Sequence, residues 1–188
     1  MTQTTINKWE LADFENIEEK MIKATSSDEY GDLVNSLKTL KNVYVIGNGG
    51  LHYVASHMAT DLSRLVSHLN VCSFDSVGFI TSNANDHGYE NIFTRWLETI
   101  NYKNEDQKPL VLGLSCSGKS KNIINALNMS IKDGCHAFLI SGIENKVLIP
   151  GIKQIHLDCN YYHTVEALSL MIFYNIIHSI GFKCPSIK

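Results

Sequence analysis

No apolar run in this 188-residue chain approaches the roughly 20 residues of a membrane span. The first residues, Met1-Thr-Gln-Thr-Thr-Ile-Asn-Lys8, carry no apolar signal core. There is no basic excess: 16 Lys and Arg against 19 Asp and Glu leave a formal charge of −3, which argues against general nucleic-acid or membrane-surface binding. The five cysteines, at 72, 116, 135, 159 and 184, are odd in number and lack paired spacing. They read as reduced, mostly buried thiols of a cytoplasmic protein and not as a disulfide frame or zinc knuckle. No linker, repeat or low-complexity tract is visible. The chain therefore reads as one domain over residues 1–188, with a helical lead-in at 1–40 and a core at 41–181. Its apolar content of 44% suffices for a sizeable core.

What is present alternates between helix and strand. Leu11, Phe14, Ile17 and Met21 form an apolar stripe on a first helix. Ser26-Ser-Asp-Glu29 has the form of a capping box that opens a second helix through Leu40. Apolar strands are expected at 42–46, 71–74, 109–114, 135–140 and 154–157. Helices are expected at 52–65, near 76–82, at 119–132 and at 164–180. A further helix is expected at 88–100, with Tyr89, Phe93, Trp96 and Ile100 on one side. Short apolar strands between helices imply an α/β fold, a parallel sheet covered on both faces, with ligands bound beyond the carboxyl ends of the strands. The last helix is apolar nearly all round, which places it centrally in the fold or against another subunit, and favours a homo-oligomer.

Two turns fall at that carboxyl end. Ser115-Cys-Ser-Gly-Lys-Ser120 runs from an apolar strand into an amphipathic helix. Backbone N–H groups at a helix start have no intrahelical partner, the helix dipole favours an anion there, and three hydroxyls add donors, so the loop suits a phosphate. A plain cap by Ser120 is the alternative. The spacing of a nucleotide-hydrolysing P-loop is absent. Upstream, Gly47-Asn-Gly-Gly50 lacks the third glycine of a dinucleotide turn and allows a ligand close to the backbone, or simply makes a tight turn. His57 and Asp61 share a helix face and read as a metal-ligand pair, a base with its orienting partner, or a surface pair. The polar run Asn83-Ala-Asn-Asp-His-Gly88 precedes a helix that Asp86 is placed to cap. His163 and Glu166, at the start of the last helix, face either the site or solvent.

Taken together, these pieces resemble the phosphoheptose isomerase family of SIS (sugar isomerase) domains. Val45-Ile-Gly-Asn-Gly-Gly50 with His57 is similar to the family's first loop and metal-bearing helix. Asn85-Asp-His-Gly-Tyr-Glu-Asn-Ile-Phe-Thr-Arg95 resembles a second segment, Ser115-Cys-Ser-Gly-Lys-Ser-Lys-Asn122 the phosphate loop, and Leu139-Ile-Ser-Gly142 the strand and turn that follow. The resemblance spans roughly residues 40 to 180. It implies a three-layer αβα sandwich on a five-stranded parallel sheet, usually a cytoplasmic homotetramer with sites between subunits. It also implies interconversion of sedoheptulose 7-phosphate and a heptose 7-phosphate, which feeds bacterial surface-polysaccharide (lipopolysaccharide or capsule) synthesis. By matched position, Ser115, Cys116 (through its backbone), Ser117 and Ser120 hold the phosphate, and Asn48, Gly49, Gly50, Asn85 and Asp86 contact the sugar.

The departures lie in the catalytic set. Leu51 stands where the family has a loop serine, and Asp61 where it has a glutamate that is both zinc ligand and base. The family's glutamine and histidine on the last helix align with Val165 and Phe173. His57 and Asp61 alone make a weak zinc shell, since stable sites use three or four protein ligands. Three functions follow as expectations. One is a sugar-phosphate isomerase with Asp61 as base and His57 beside it. The second is a non-catalytic module that binds a phosphosugar or serves as an assembly adaptor. The third is a related enzyme acting on another phosphosugar, such as a hexosamine phosphate. No nucleotide cofactor is expected.

Overall fold

The computed structural model describes residues 16–104, 107–148 and 150–187. Five strands, β1 (Asn42–Gly47), β2 (Asn70–Ser73), β3 (Leu110–Ser115), β4 (His136–Ser141) and β5 (Ile152–His156), form one sheet in the order β2-β1-β3-β4-β5. Every pairing is parallel. The helices are α1 (Ile17–Thr25), α2 (Asp28–Thr39), α3 (Gly50–Leu65), α4 (Val77–His87), α5 (Ile92–Thr99), α6 (Lys121–Lys132) and α7 (Tyr162–Ser179). The result is the α/β three-layer sandwich expected, with two helices ahead of the sheet. Among the described residues, no helix is long and apolar enough to cross a membrane.

The period-2 alternation of the strands splits the core in two. Val43, Val45, Leu112 and Ile140 face α2, α3 and α7, where Leu33, Met58, Leu62, Ile172 and Phe173 meet them. Tyr44, Ile46, Val111 and Leu139 face α5 and α6, where Phe93, Leu97, Ile123 and Leu127 lie. β1 leads outward to β2 on one side and β3 pairs on the other, so the chain reverses its direction of travel between β1 and β3. A crevice opens at such a switch point, beyond the carboxyl ends of the strands. Gly47 pairs with Leu114 in register, which sets the Gly47–Gly50 turn beside the Ser115–Ser120 loop.

Some local expectations shift. Leu11 and Phe14 of the predicted first stripe lie outside the described residues. The second helix is capped by Ser27, whose hydroxyl accepts from Tyr30 N at 3.2 Å, so the box displaces by one residue and Glu29 is simply an acidic first-turn residue. The run 83–87 is the last part of α4 and not a lead-in, and Asp86 caps nothing; the helix that follows begins with a 3-10 turn, Tyr89–Asn91. The buried face of α5 is Ile92, Phe93 and Leu97, whereas Tyr89 and Ile100 are exposed, because the 3-10 turn breaks the 3.6-residue phase.

Candidate functional site

The serine loop and the glycine turn share one cavity of about 260 Å³, lined by Asn48, Gly49, Gly50, Leu51, Leu114, Ser115, Cys116, Ser117, Ser120, Tyr162 and Glu166. Each element supplies its part for a local reason. Gly49 sits at φ 56°, ψ −128°, a combination that only glycine adopts readily, and it turns β1 sharply into α3. Gly50 has no room for a side chain: a Cβ there would lie 2.1 Å from Glu166 Oε1. The missing methyl group therefore lets the half-buried Glu166 carboxylate reach across from α7 onto the backbone at the start of α3.

On the other wall, Gly118 N donates to Ser115 O at 3.0 Å and closes the serine turn. Lys119 N donates to the Ser117 hydroxyl at 3.2 Å. Ser120 stands at the N-cap position of α6 as the plain reading held, but its side chain caps nothing. Its hydroxyl lies 2.9 Å from the Ser115 hydroxyl instead, so the two face each other across the turn. Burial, with Glu166 nearby, pushes the Cys116 thiol up to about 11, so it is neither a thiolate nucleophile nor a metal ligand at neutral pH.

Asn48 and Asn122 tie the two walls together. Asn48 Nδ2 donates to Asn122 Oδ1 at 2.9 Å, and Asn122 Nδ2 donates back to Asn48 Oδ1 at 2.8 Å. Asn122 Oδ1 also accepts from Ile123 N, and the Tyr89 hydroxyl donates to Asn48 Oδ1 at 3.1 Å. The Asn48 amide is thus engaged in holding the loops, while its place in the cavity wall is retained.

The remaining expected residues lie elsewhere. Asn85 and Asp86 are exposed on α4, with Asn85 Nδ2 donating to Asp86 Oδ1 at 2.8 Å; neither lines the cavity, because α4 runs on to His87 and carries them away from the turn. His57 and Asp61 do meet, as their spacing requires, with Nε2 and Oδ2 3.3 Å apart. Asp61 stands eleven residues beyond Gly50, roughly 16 Å along the helix axis at 1.5 Å per residue. Neither residue lines this cavity; both meet Tyr174 of α7 instead.

Around Asp61 a closed group forms. Arg64 Nη2 donates to Asp61 Oδ1 at 3.0 Å, and the Tyr174 hydroxyl donates to Asp61 Oδ2 at 3.2 Å. The same hydroxyl lies 3.2 Å from His57 Nε2. Burial works to raise the Asp61 carboxyl, but the hydrogen bonds from Arg64 and Tyr174 and the charges of His57 and Arg64 outweigh it and hold it below the usual carboxylate range. Burial and the Asp61 carboxylate push the Tyr174 phenol above its ordinary value, so it stays protonated and donates. This donor set does not fit zinc: Asp61 carries a guanidinium, Tyr174 is a neutral phenol, and among the described residues no three His, Cys, Asp or Glu groups come together to hold a metal ion.

Val165 and Phe173, which the resemblance sets at the family's last-helix positions, face the interior. Phe173 is fully buried in the core, and Val165 packs against Gly142. The α7 residues that reach α3 are Glu166, onto Gly50, and Tyr174, onto His57 and Asp61; they too are eight apart. A signal for Glu166 was available in the sequence, since it is the only Asp, Glu, Lys or Arg in the 18 residues of α7.

No family model matches the chain. The phosphoheptose isomerase of Histophilus somni is 24% identical over 161 residues, covering 82% of this chain and 80% of that protein. The fold matches a phosphoheptose isomerase structure from Neisseria gonorrhoeae at TM-score 0.66 and 16% identity, over 88% of this chain and 86% of that one. A structure of the Vibrio vulnificus NanR protein complexed with ManNAc-6P matches at TM-score 0.58 and 14% identity, over 87% of this chain and 60% of that one. The resemblance read in the sequence is borne out: the chain is similar to phosphoheptose isomerases along most of its length, and it has their fold.

Proposed function

We propose that this chain binds a small phosphorylated sugar in the crevice between β1 and β3 and interconverts its aldose and ketose forms, with Glu166 as the base. The observation that carries the reading is that one cavity holds a triple-serine loop at one wall and a carboxylate at the other. The Ser115, Ser117 and Ser120 hydroxyls and the start of α6 receive the phosphate, as hydrogen bonds to an anion are stronger than those between neutral groups. Aldose–ketose exchange passes a proton between adjacent carbons through an enediol. Glu166 removes it from one carbon and returns it to the next, and Tyr162, which also lines the cavity, serves the sugar oxygens. Relatives named phosphoheptose isomerase and a structural neighbour complexed with ManNAc-6P support a phosphosugar ligand.

Within that class we propose sedoheptulose 7-phosphate as substrate, a role in surface-polysaccharide precursor synthesis, and a cytoplasmic homo-oligomer, a tetramer by resemblance. Exposed Tyr53, Val77, Tyr89 and Tyr162, and a helix α4 with no buried residue, support a neighbouring subunit. The closed cluster at Asp61 favours a second reading, a binding module without turnover. Proton NMR of the protein with sedoheptulose 7-phosphate in deuterated water decides between them. Deuterium entering the carbon next to the carbonyl, abolished in Glu166→Gln, supports the isomerase. Saturable binding with no exchange supports the module.

A further inference from the structure

The His57–Asp61 pair has the spacing of a metal site, yet both carboxylate oxygens and His57 Nε2 already face a partner within 3.3 Å. We infer that His57, Asp61, Arg64 and Tyr174 form a metal-free clasp joining α3 to α7, and that the nearby crevice works with no divalent cation held at this pair. Both carboxylate oxygens are occupied: Oδ1 by Arg64 at 3.0 Å, and Oδ2 by Tyr174 at 3.2 Å and His57 at 3.3 Å. His57 Nε2, the nitrogen a metal would need, faces Tyr174 Oη and Asp61 Oδ2 and not open solvent alone. A cation here would sit against the Arg64 guanidinium and would have to displace it from a carboxylate that is only 13% exposed. The single carboxylate on α7, Glu166, lies at the far end of α3, over Gly50. The clasp supplies what a bound ion would supply structurally, a fixed link between two helices, from hydrogen bonds and ion pairs.

The experiment is metal analysis of the full chain, so its outcome is independent of whether any sugar is turned over. The protein is incubated with excess zinc, passed through a desalting column and assayed for metal. The expected result is no stoichiometric zinc, and inorganic-phosphate and sedoheptulose 7-phosphate binding unchanged by a chelator. One zinc per chain, or ligand binding that a chelator removes and zinc restores, overturns the inference. Tyr174→His sharpens it by placing a third nitrogen beside the pair. That variant is expected to bind zinc at least about tenfold more tightly than the parent. A parent that binds one zinc per chain and loses it on this change overturns the clasp as drawn.

Discussion

Two clusters stand at opposite ends of α3, and they are built on opposite plans. At its N-terminus the walls are backbone, glycine and serine, and the hydroxyls face a cavity. Near its C-terminus, His57, Asp61, Arg64 and Tyr174 turn toward one another and satisfy their own charges. Groups meant for a ligand are kept available at a cost in stability, and groups that stabilise are consumed by their neighbours. The two ends should therefore respond to mutation in opposite ways: the first loses function and keeps its fold, the second loses stability and keeps its function.

The sharpest break is Glu166→Gln. Removing the base is expected to lower turnover of sedoheptulose 7-phosphate by about 10²–10⁴-fold while leaving its affinity unchanged. Equal rates in the two proteins would move the catalytic role elsewhere. Next, Ser115→Ala or Ser117→Ala removes a hydrogen bond to an anion worth about 1.5–3 kcal/mol, which corresponds to phosphosugar binding roughly 10–150-fold weaker by calorimetry. Urea midpoints should stay near those of the parent.

At the other end, Asp61→Asn is expected to cost about 1–3 kcal/mol of unfolding free energy at neutral pH with little change in affinity. Because the folded carboxyl lies below its usual range, its contribution is present above the unfolded value, near 4, and fades as pH falls through the lower folded value. The gap between parent and variant, measured by urea unfolding, should therefore close in acid. An undiminished gap at about pH 3 would deny that ionised Asp61 is the source. Last comes the Cys116 thiol, in the cavity wall itself. With its value near 11, Cys116 should react with iodoacetamide at pH 8 roughly two orders of magnitude more slowly than a free thiol, followed by mass spectrometry of the labelled peptide.

The sheet was legible because β1, β3 and β4 are apolar runs ended by glycine or serine, the pattern of strands buried on both faces of a parallel sheet. The phosphate loop was legible because its chemistry is local: Ser115, Ser117 and Ser120 lie within six residues and need no long-range contact to meet. The catalytic end was not. Facing on α7 depends on phase, and one residue of error turns a side chain by about 100°. Apolar residues surround that helix, so nothing in its pattern decides whether Glu166 faces the site or solvent, and nothing marks Tyr174 for its contact with His57 and Asp61. Asn85 and Asp86 fall outside the cavity for another reason. Where α4 stops is set by Gly88, at φ 84°, and its preceding turn carries no apolar period to announce a helix.

The reciprocal amide bond between Asn48 and Asn122 joins positions 74 apart in the chain. Between them lie α3, β2, α4, α5 and the central strand β3, so the fastening returns a long excursion of the chain to the floor of the crevice. The two turns are thus held at one spacing by a single pair of side chains as well as by the strand register.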